Sequence, residues 1–168
     1  EAANEPDEVY PDGQTAAKAV ETLQRLKTDA KPFFLAVGFV KPHLPFTCPQ
    51  KYWDLYPAES IQMPVNAKRP PNAPEPAFHN NYELRSYGTV PADGPINAAM
   101  AHNLIRGYRA CVSFMDAQLG KVLAELDRLG LRENTAIVLW GDHGYHLGEQ
   151  SVWTKMTNFE HGTRVRCS

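Results

Sequence analysis

The sequence predicts an α/β fold in which a mainly parallel central sheet is flanked by helices. Two short apolar runs, residues 32–39 and 136–140, have the length and composition of strands buried on both faces. A long helical pattern lies between them, and a strand–helix–strand passage favours parallel pairing through a right-handed crossover. Both strands would then end at the same edge of the sheet, which is where ligands bind in open α/β folds.

The composition is that of a soluble globular protein rather than a disordered chain. Of the 168 residues, 43% are hydrophobic and 21% are charged. The formal net charge of -2 gives no basic excess, so nucleic acid is not an expected partner. The longest apolar run, residues 33–40, is too short to span a membrane. The 3 cysteines lack zinc-ligand spacing, and their odd number argues against a complete disulfide framework.

Two helices are predicted in the first third of the chain. Apolar residues recur at helical spacing over residues 14–27, and either Asp12 or Thr15 is expected to cap this helix. A shorter helix with an aromatic face is expected between Pro49 and Tyr56.

The longest predicted helix covers residues 96–129, where a single apolar stripe recurs every three or four positions. Gly107 and Gly120 lie within this stripe. Because a glycine inside a helix is costly, their presence predicts either close packing or a break at these positions.

Residues 57–95 are predicted to form a long irregular excursion. The segment contains 8 of the 14 prolines and shows no internal repeat. Loops of this length inside a compact domain are usually functional or run over the surface. We expect a lid that shapes access to a substrate, and a surface loop without such a role is the alternative.

A histidine on a rigid turn follows the first predicted strand. In Lys41-Pro42-His43-Leu44-Pro45, two prolines restrict the backbone on either side of His43. This rigidity makes His43 a candidate functional residue, although a single histidine on a turn is more often structural.

The second predicted strand leads into a glycine-flanked Asp-His pair, Gly141-Asp142-His143-Gly144. A carboxylate beside an imidazole at the end of a strand indicates a metal-ligand pair or an acid/base pair. A polar turn in which Asp142 caps backbone amides explains the same residues equally well.

Two further features follow this pair. Lys155 is a compact positive charge that can hold an anion, although an ordinary surface lysine is the simpler interpretation. His143-x-x-His146 with Glu149 resembles a zinc-ligand cluster, but the helical His-Glu-x-x-His pattern is absent and the neighbouring glycines disfavour a helix.

Four blocks of residues, taken together and in order, resemble the type I sulfatases of the alkaline phosphatase superfamily. The most similar branch is the iduronate-2-sulfatase-like group, and the resemblance extends from about Gln14 to Thr163. The blocks are Gly38-Phe39-Val40-Lys41-Pro42-His43-Leu44-Pro45-Phe46, Met115-Asp116-Ala117-Gln118-Leu119-Gly120, the segment from Gly141 to Glu149, and Trp153-Thr154-Lys155-Met156-Thr157-Asn158-Phe159.

The resemblance implies both a fold and a chemistry. The fold is part of an alkaline-phosphatase-like sandwich, with residues 1–168 forming a single partial catalytic domain that is incomplete at both ends. In that family, one calcium ion and a formylglycine residue hydrolyse sulfate esters. The resemblance assigns Asp142 and His143 to the metal, and it assigns His43 and Lys155 to catalysis and to binding of the sulfate group.

The same resemblance implies where substrate selectivity is set. Tyr145 and His146 fall in the corresponding region and are expected to contact the substrate. The implied partner is a sulfated small molecule or glycan, and the implied location is periplasmic, secreted or lysosome-like.

The sequence also departs from the family pattern. No cysteine or serine begins the formylglycine precursor pattern Cys/Ser-x-Pro-x-Arg, and the paired N-terminal aspartates of the calcium site are missing. After Thr163 the chain reads Arg164-Val165-Arg166-Cys167-Ser168, where the family continues as Val-Pro-Leu. We therefore expect an internal fragment of a sulfatase that does not turn over sulfate esters on its own. A phosphoester or phosphonate hydrolase of the same superfamily, or a non-catalytic sulfate-binding module, is the alternative.

Overall fold

The computed structural model describes residues 2–165 and 167–168, so Glu1 and Arg166 lie outside it. The departure from the family pattern noted at residues 164–168 therefore falls partly outside the described residues. The chain divides into two compact units, one made of residues 1–57 and 106–137 and the other of residues 58–105 and 138–168. The prediction of a single partial domain stays a prediction.

The first unit begins with helix α1, Pro11–Asp29, which confirms the helix predicted over residues 14–27. Its N-cap is Tyr10, which makes no side-chain cap hydrogen bond. The predicted caps, Asp12 and Thr15, are therefore wrong. The fixed φ of Pro11 suits the first helical position, so the helix begins earlier than expected and both residues lie inside it.

A short parallel pairing and a short helix complete the start of this unit. Strand β1, Ala2–Ala3, pairs with strand β2, Cys48–Pro49, in parallel. Helix α2, Gln50–Trp53, follows directly and lies within the segment predicted to be helical. Its aromatic face is buried, because the Tyr52 ring packs against Phe114 at a centroid distance of 5.3 Å.

Helix α4, Ala98–Arg128, confirms the predicted long helix, and it runs unbroken through both glycines. Gly107 is closely packed, since a Cβ there would lie 2.9 Å from the Cβ of Phe46 and 3.0 Å from the Trp53 ring. Gly120 is different, because a Cβ there would meet nothing within 4 Å among the described residues. Only the first glycine is therefore required by packing.

The two segments predicted to be central strands are not strands in the described structure. Residues 32–39 belong to no ladder, and exposed and half-buried positions alternate along them, as they do in an extended chain open on one face. Phe34 is 93% exposed, which contradicts burial on both faces. Residues 136–139 are also exposed, and Trp140 makes only an isolated antiparallel bridge to Cys167. An apolar run predicts extended chain, but a strand also requires a neighbouring backbone.

The second unit contains a short hairpin and most of the excursion. Strand β3, His146–Leu147, pairs antiparallel with strand β4, Trp153–Thr154, and a 3-10 turn at Glu149–Ser151 joins them. The excursion holds helix α3, Tyr82–Arg85, and 3-10 turns at Ala58–Ser60 and Glu75–Ala77. Helix α5, Glu160–Thr163, closes the unit.

A helix that crosses a membrane must be both long and apolar. Among the described residues, no helix combines the length and the apolar character that a span requires.

Candidate functional site

The His43 turn is held by side chains on both of its sides. Within it, the backbone N–H of His43 donates to the Val40 carbonyl over 3.0 Å. Before it, the Asp12 carboxylate accepts from the backbone N–H groups of Val40, at 2.8 Å, and Lys41, at 2.9 Å. The Lys41 ammonium then donates to the carbonyls of His43, at 3.0 Å, and Pro45, at 2.6 Å. The rigidity predicted from the prolines is thus reinforced by hydrogen bonds.

The His43 ring itself has a defined hydrogen-bond direction. Its Nδ1 lies 2.8 Å from the Leu44 carbonyl oxygen, which can only accept. Nδ1 therefore carries the proton, and in the neutral ring Nε2 is the acceptor nitrogen. The residue is exposed, so the imidazole, with Nδ1 directed at the Leu44 carbonyl, lies at the surface of the first unit.

The Asp142-His143 pair is in the second unit and has a similar arrangement. Nδ1 of His143 lies 2.8 Å from the Gly144 carbonyl oxygen, which again assigns the proton to Nδ1. Nε2 of His143 lies 3.6 Å from Oδ2 of Asp142, whose side chain is 80% exposed. Only glycine fits at position 144, because the backbone of His161 approaches so closely that a Cβ there would lie 1.9 Å from the His161 carbonyl oxygen.

This pair fits part of a metal site. Metal-ligating histidines usually donate their second N–H to a carbonyl, as His143 does, and a carboxylate oxygen lies beside its unprotonated nitrogen. Calcium, however, takes six to eight oxygen ligands. Within the part of the chain that the structure describes, no group of three or more His, Cys, Asp or Glu side chains could hold a metal ion. Asp142 and His143 therefore supply at most part of a coordination shell.

The zinc-like cluster noted in the sequence does not converge. His146 is fully buried, with Nε2 2.8 Å from Oγ1 of Thr157. Glu149 accepts a hydrogen bond from the backbone N–H of Leu147 at 2.7 Å. The His146 ring is therefore engaged with Thr157 and the Glu149 carboxylate with the hairpin backbone, and among the described residues they form no metal-holding group of three.

Lys155 is supported by residues of the excursion. Its ammonium is ion-paired with the Glu83 carboxylate, and the two side chains are 14% and 17% exposed. Its backbone carbonyl accepts a hydrogen bond from His79 Nε2 at 2.9 Å, and His79 Nδ1 accepts from the backbone N–H of Asn81 at 3.0 Å. Asn81 in turn accepts from the backbone N–H of Trp153 at 2.9 Å. Sequence reasoning missed these contacts, because His79, Asn81 and Glu83 lie more than seventy positions from Lys155 and Trp153 along the chain.

A polar cavity of about 490 Å³ opens beside this support and is walled mainly by the excursion. Arg85 in its wall donates to the backbone carbonyls of Asn80, Pro91 and Gly94 and so holds the loop around it. Arg69 packs over the Phe78 ring at 4.2 Å and forms an exposed ion pair with Glu75. The proline-rich composition predicted a long irregular segment here, but it did not indicate that Arg69 and Arg85 line a cavity.

The two residues predicted to set selectivity differ in exposure. Tyr145 is half-buried and His146 is fully buried. Burial lowers the pKa of His146 from the ordinary value of 6.5 to about 4, so the ring is neutral at physiological pH. Their roles in substrate contact stay predictions.

The candidate residues are distributed over the two units. His43 lies in the first, whereas Asp142, His143 and Lys155 lie in the second. The expectation that His43 and the Asp142-His143 pair lie at one edge of the sheet stays a prediction.

Comparison with known proteins identifies the family. The model of the family described as Sulfatase matches residues 2–166, which is almost the whole chain. The chain belongs to the sulfatase family. This confirms the resemblance noted in the sequence.

Three of the most similar curated relatives of this sulfatase-family chain are named sulfatases. It is 39% identical over 169 residues to iduronate 2-sulfatase of Mus musculus, covering 97% of this chain and 31% of the relative. It is 37% identical over 166 residues to iduronate 2-sulfatase of Homo sapiens, covering 95% and 30%. A sulfatase of Formosa agariphila is 39% identical over 162 residues, covering 96% and 31%. The chain thus spans about a third of the length of these relatives.

Solved structures support the fold class of this family member. The phosphonate monoester hydrolase of Silicibacter pomeroyi superposes with a TM-score of 0.81 at 21% identity, covering 97% of this chain and 33% of that protein. Identity at this level shows the fold alone. The superposition confirms the predicted fold class, a partial alkaline-phosphatase-like α/β domain.

Proposed function

We propose that this chain forms part of an enzyme that hydrolyses sulfate esters. The observation that carries the proposal is the match to the sulfatase family over residues 2–166, together with relatives at 37–39% identity that are named sulfatases. The substrate class we propose is a sulfated carbohydrate or a similar small ester. The polar cavity of about 490 Å³ that Arg69 and Arg85 line has room for a group larger than sulfate.

In this proposal Lys155 and His43 act on the sulfate group. A transition state that gathers negative charge on oxygen is stabilised by fixed positive charge and by hydrogen-bond donors. Lys155 carries that charge in a largely buried position. His43 presents Nε2, which accepts a hydrogen bond when the ring is neutral and donates one when it is protonated. Both roles are electrostatic or hydrogen-bonding roles, and neither includes a proton transfer.

We further propose that Asp142 and His143 contribute to a calcium site that is completed by other ligands. The exposed carboxylate and the adjacent imidazole nitrogen support this role. A bound divalent cation would supply positive charge that stabilises the negative charge of the sulfate group. The formylglycine nucleophile is proposed to come from outside these residues, because the chain lacks the Cys/Ser-x-Pro-x-Arg pattern.

A phosphonate monoester hydrolase is the second candidate. The observation that favours it is the TM-score of 0.81 to such an enzyme. Its support is weaker, since that likeness is one of fold and the more similar relatives in sequence are named sulfatases.

The test uses the full-length protein that contains these residues. Sulfate release from an aryl sulfate and from a sulfated disaccharide is measured beside hydrolysis of an aryl phosphonate. We expect Lys155→Ala to reduce kcat for sulfate release on the order of 100- to 1000-fold, the usual effect of losing one charge-stabilising group. Lys68→Ala, which changes an exposed lysine of the excursion, is the matched control and should leave kcat unchanged. Faster hydrolysis of the phosphonate, or full activity in Lys155→Ala, would contradict the proposal.

The proposed calcium site is tested by binding rather than by turnover. Isothermal titration of the full-length protein with calcium should show at least tenfold weaker binding in Asp142→Asn, because the variant loses a charged oxygen ligand. Asp127→Asn removes an exposed aspartate of the first unit and serves as the control. Equal calcium affinity in Asp142→Asn and wild type would remove Asp142 from the site.

A further inference from the structure

Asp12 is a buried carboxylate whose position is unexpected for its place in the sequence. It lies in the first turn of α1, where an acidic residue usually faces solvent or caps the helix. Instead it is 1% exposed and makes no cap hydrogen bond. Burying a carboxylate is costly unless its oxygens are satisfied, so its partners should explain its position.

Those partners are the two backbone N–H groups that lead into the His43 turn. Oδ1 accepts from Val40 at 2.8 Å and Oδ2 accepts from Lys41 at 2.9 Å. Hydrogen bonds to a charged acceptor are stronger than neutral ones, and two parallel bonds also fix orientation. The carboxylate thus fixes the backbone just before Pro42.

The support behind Asp12 is rigid. The neighbouring Gly13 packs so closely on the preceding 3-10 turn that a Cβ there would lie 2.0 Å from the Asp7 carbonyl oxygen. The start of α1 therefore cannot shift toward that turn, and the Asp12 backbone is held against it. The backbone that carries the Asp12 carboxylate is therefore held in position.

Beyond the two amides, further contacts connect Asp12 to the His43 ring. The His43 backbone N–H donates to the Val40 carbonyl at 3.0 Å, so the residue whose amide Asp12 holds also closes the turn. The Lys41 side chain closes the other side through the carbonyls of His43 and Pro45. The ring's Nδ1 then bonds to the Leu44 carbonyl within the same turn.

We infer that Asp12 is the positioning residue for His43: its buried carboxylate holds the turn that orients the imidazole. This inference rests on the proposed function, because the role of His43 belongs to that function. Asp12 touches no substrate in this assignment and acts only through the backbone. An asparagine cannot replace it, because its amide nitrogen is a donor and would oppose one of the two N–H groups.

The kinetic test is a double-mutant cycle in the full-length protein, with sulfate release as the readout. Asp12→Asn should lower kcat about 10- to 100-fold with little change in KM, and should add almost nothing when His43 is already alanine, since the two residues act as one unit. Glu21→Gln, on the exposed face of α1, is the control and should keep wild-type kcat. Multiplicative effects of Asp12→Asn and His43→Ala, or unchanged kcat in Asp12→Asn, would overturn the inference.

A second measurement does not depend on turnover. In Asp12→Asn, hydrogen exchange at the Val40 and Lys41 amides should accelerate at least tenfold while exchange in α4 stays constant, and the ring ¹⁵N shifts of His43 should show a changed tautomer ratio. If wild type releases no sulfate, the proposed function fails and these signals alone decide whether Asp12 orients the ring. If Asp12→Asn does not fold, Asp12→Glu takes its place: it keeps the charge, but its longer side chain displaces the two acceptor oxygens from the Val40 and Lys41 amides, so the same changes are expected. Unchanged exchange and tautomer signals in the folded variant would overturn the inference.

Discussion

Asp7 shows how a single buried charge organises the first unit. Its carboxylate forms ion pairs with Lys51 at 2.7 Å and with Lys121 at 2.9 Å. Tyr52 and Gln118 each donate a further hydrogen bond at 3.1 Å. Burial by itself would raise the pKa of Asp7, but these donors outweigh it and hold the pKa well below the usual range. The charged form is therefore the one that the fold stabilises.

Asp7→Asn should destabilise the protein by about 2–4 kcal/mol, because two lysines and two donors lose a charged acceptor. Both lysines are partly exposed, which keeps the expected loss below that of a fully buried pair. Denaturant unfolding measures the change. Glu21→Gln breaks the exposed pair with Lys18 and should cost less than about 0.5 kcal/mol. A similar loss in both variants would mean that the Asp7 cluster has no special role.

His146 makes stability depend on pH. Its folded-state pKa of about 4 lies below the ordinary value of 6.5, because the ring is buried. Between these two values the unfolded chain binds a proton that the folded chain excludes, so stability falls as pH falls through this window. The loss should reach on the order of 3 kcal/mol near pH 4.

The measurement is the free energy of unfolding from pH 7 to pH 4 in wild type and in His146→Gln. The variant lacks the titrating ring and should lose less stability over this range. Thr157→Val removes the hydroxyl that lies 2.8 Å from Nε2 but keeps the ring buried, so its pH slope should match wild type. An unaltered slope in His146→Gln would assign the effect to other groups.

At the scale of elements, helix α4 carries two glycines with opposite constraints. Gly107 lets the helix approach Phe46 and Trp53, whereas nothing described lies within 4 Å of a Cβ at Gly120. Gly107→Ala should therefore destabilise the protein by about 1–3 kcal/mol through overpacking. Gly120→Ala should stabilise it by about 0.5–1 kcal/mol through helix propensity. Thermal unfolding compares them, and a shift of the same sign in both variants would contradict this assignment.

The two long helices, α1 and α4, could be predicted from the sequence, whereas the strands and the short helices α3 and α5 could not. The periods of α1 and α4 are local properties, so apolar spacing alone located both. The strands predicted over residues 32–39 and 136–140 depended on distant partners that spacing cannot supply. The β3–β4 hairpin was missed for a different reason, because its strands are two residues long and leave no alternation to detect.

The residue types of the candidate site could be predicted from the sequence, but the residues that hold them in place could not. Asp-His and Pro-His-Leu-Pro stand out because glycine and proline flank them. Either Asp12 or Thr15 was expected to cap α1, but the helix begins at Pro11, so Asp12 lies inside it and its carboxylate accepts from the His43 turn instead. Lys155 gave no local signal that Glu83 is its partner, 72 positions away.

At the scale of the whole molecule, burial should determine which thiols react. Cys48 and Cys111 are fully buried, and Cys167 is exposed. A hydrogen bond with Cys48, together with burial, raises the pKa of Cys111, which further suppresses its thiolate. Iodoacetamide should therefore label Cys167 in the native protein and all three sites after unfolding, as mapped by peptide mass spectrometry. Native labelling of Cys111 at the rate of Cys167 would contradict the burial of the first unit.

The segment of residues 32–39 has one more consequence. Its exposed flank carries Phe34 at 93% exposure, and its backbone joins no sheet among the described residues. An exposed extended segment of this kind promotes association, because a second molecule can pair its own extended backbone with it and bury Phe34 in the contact. Concentrated solutions of these 168 residues should therefore turn cloudy before they denature.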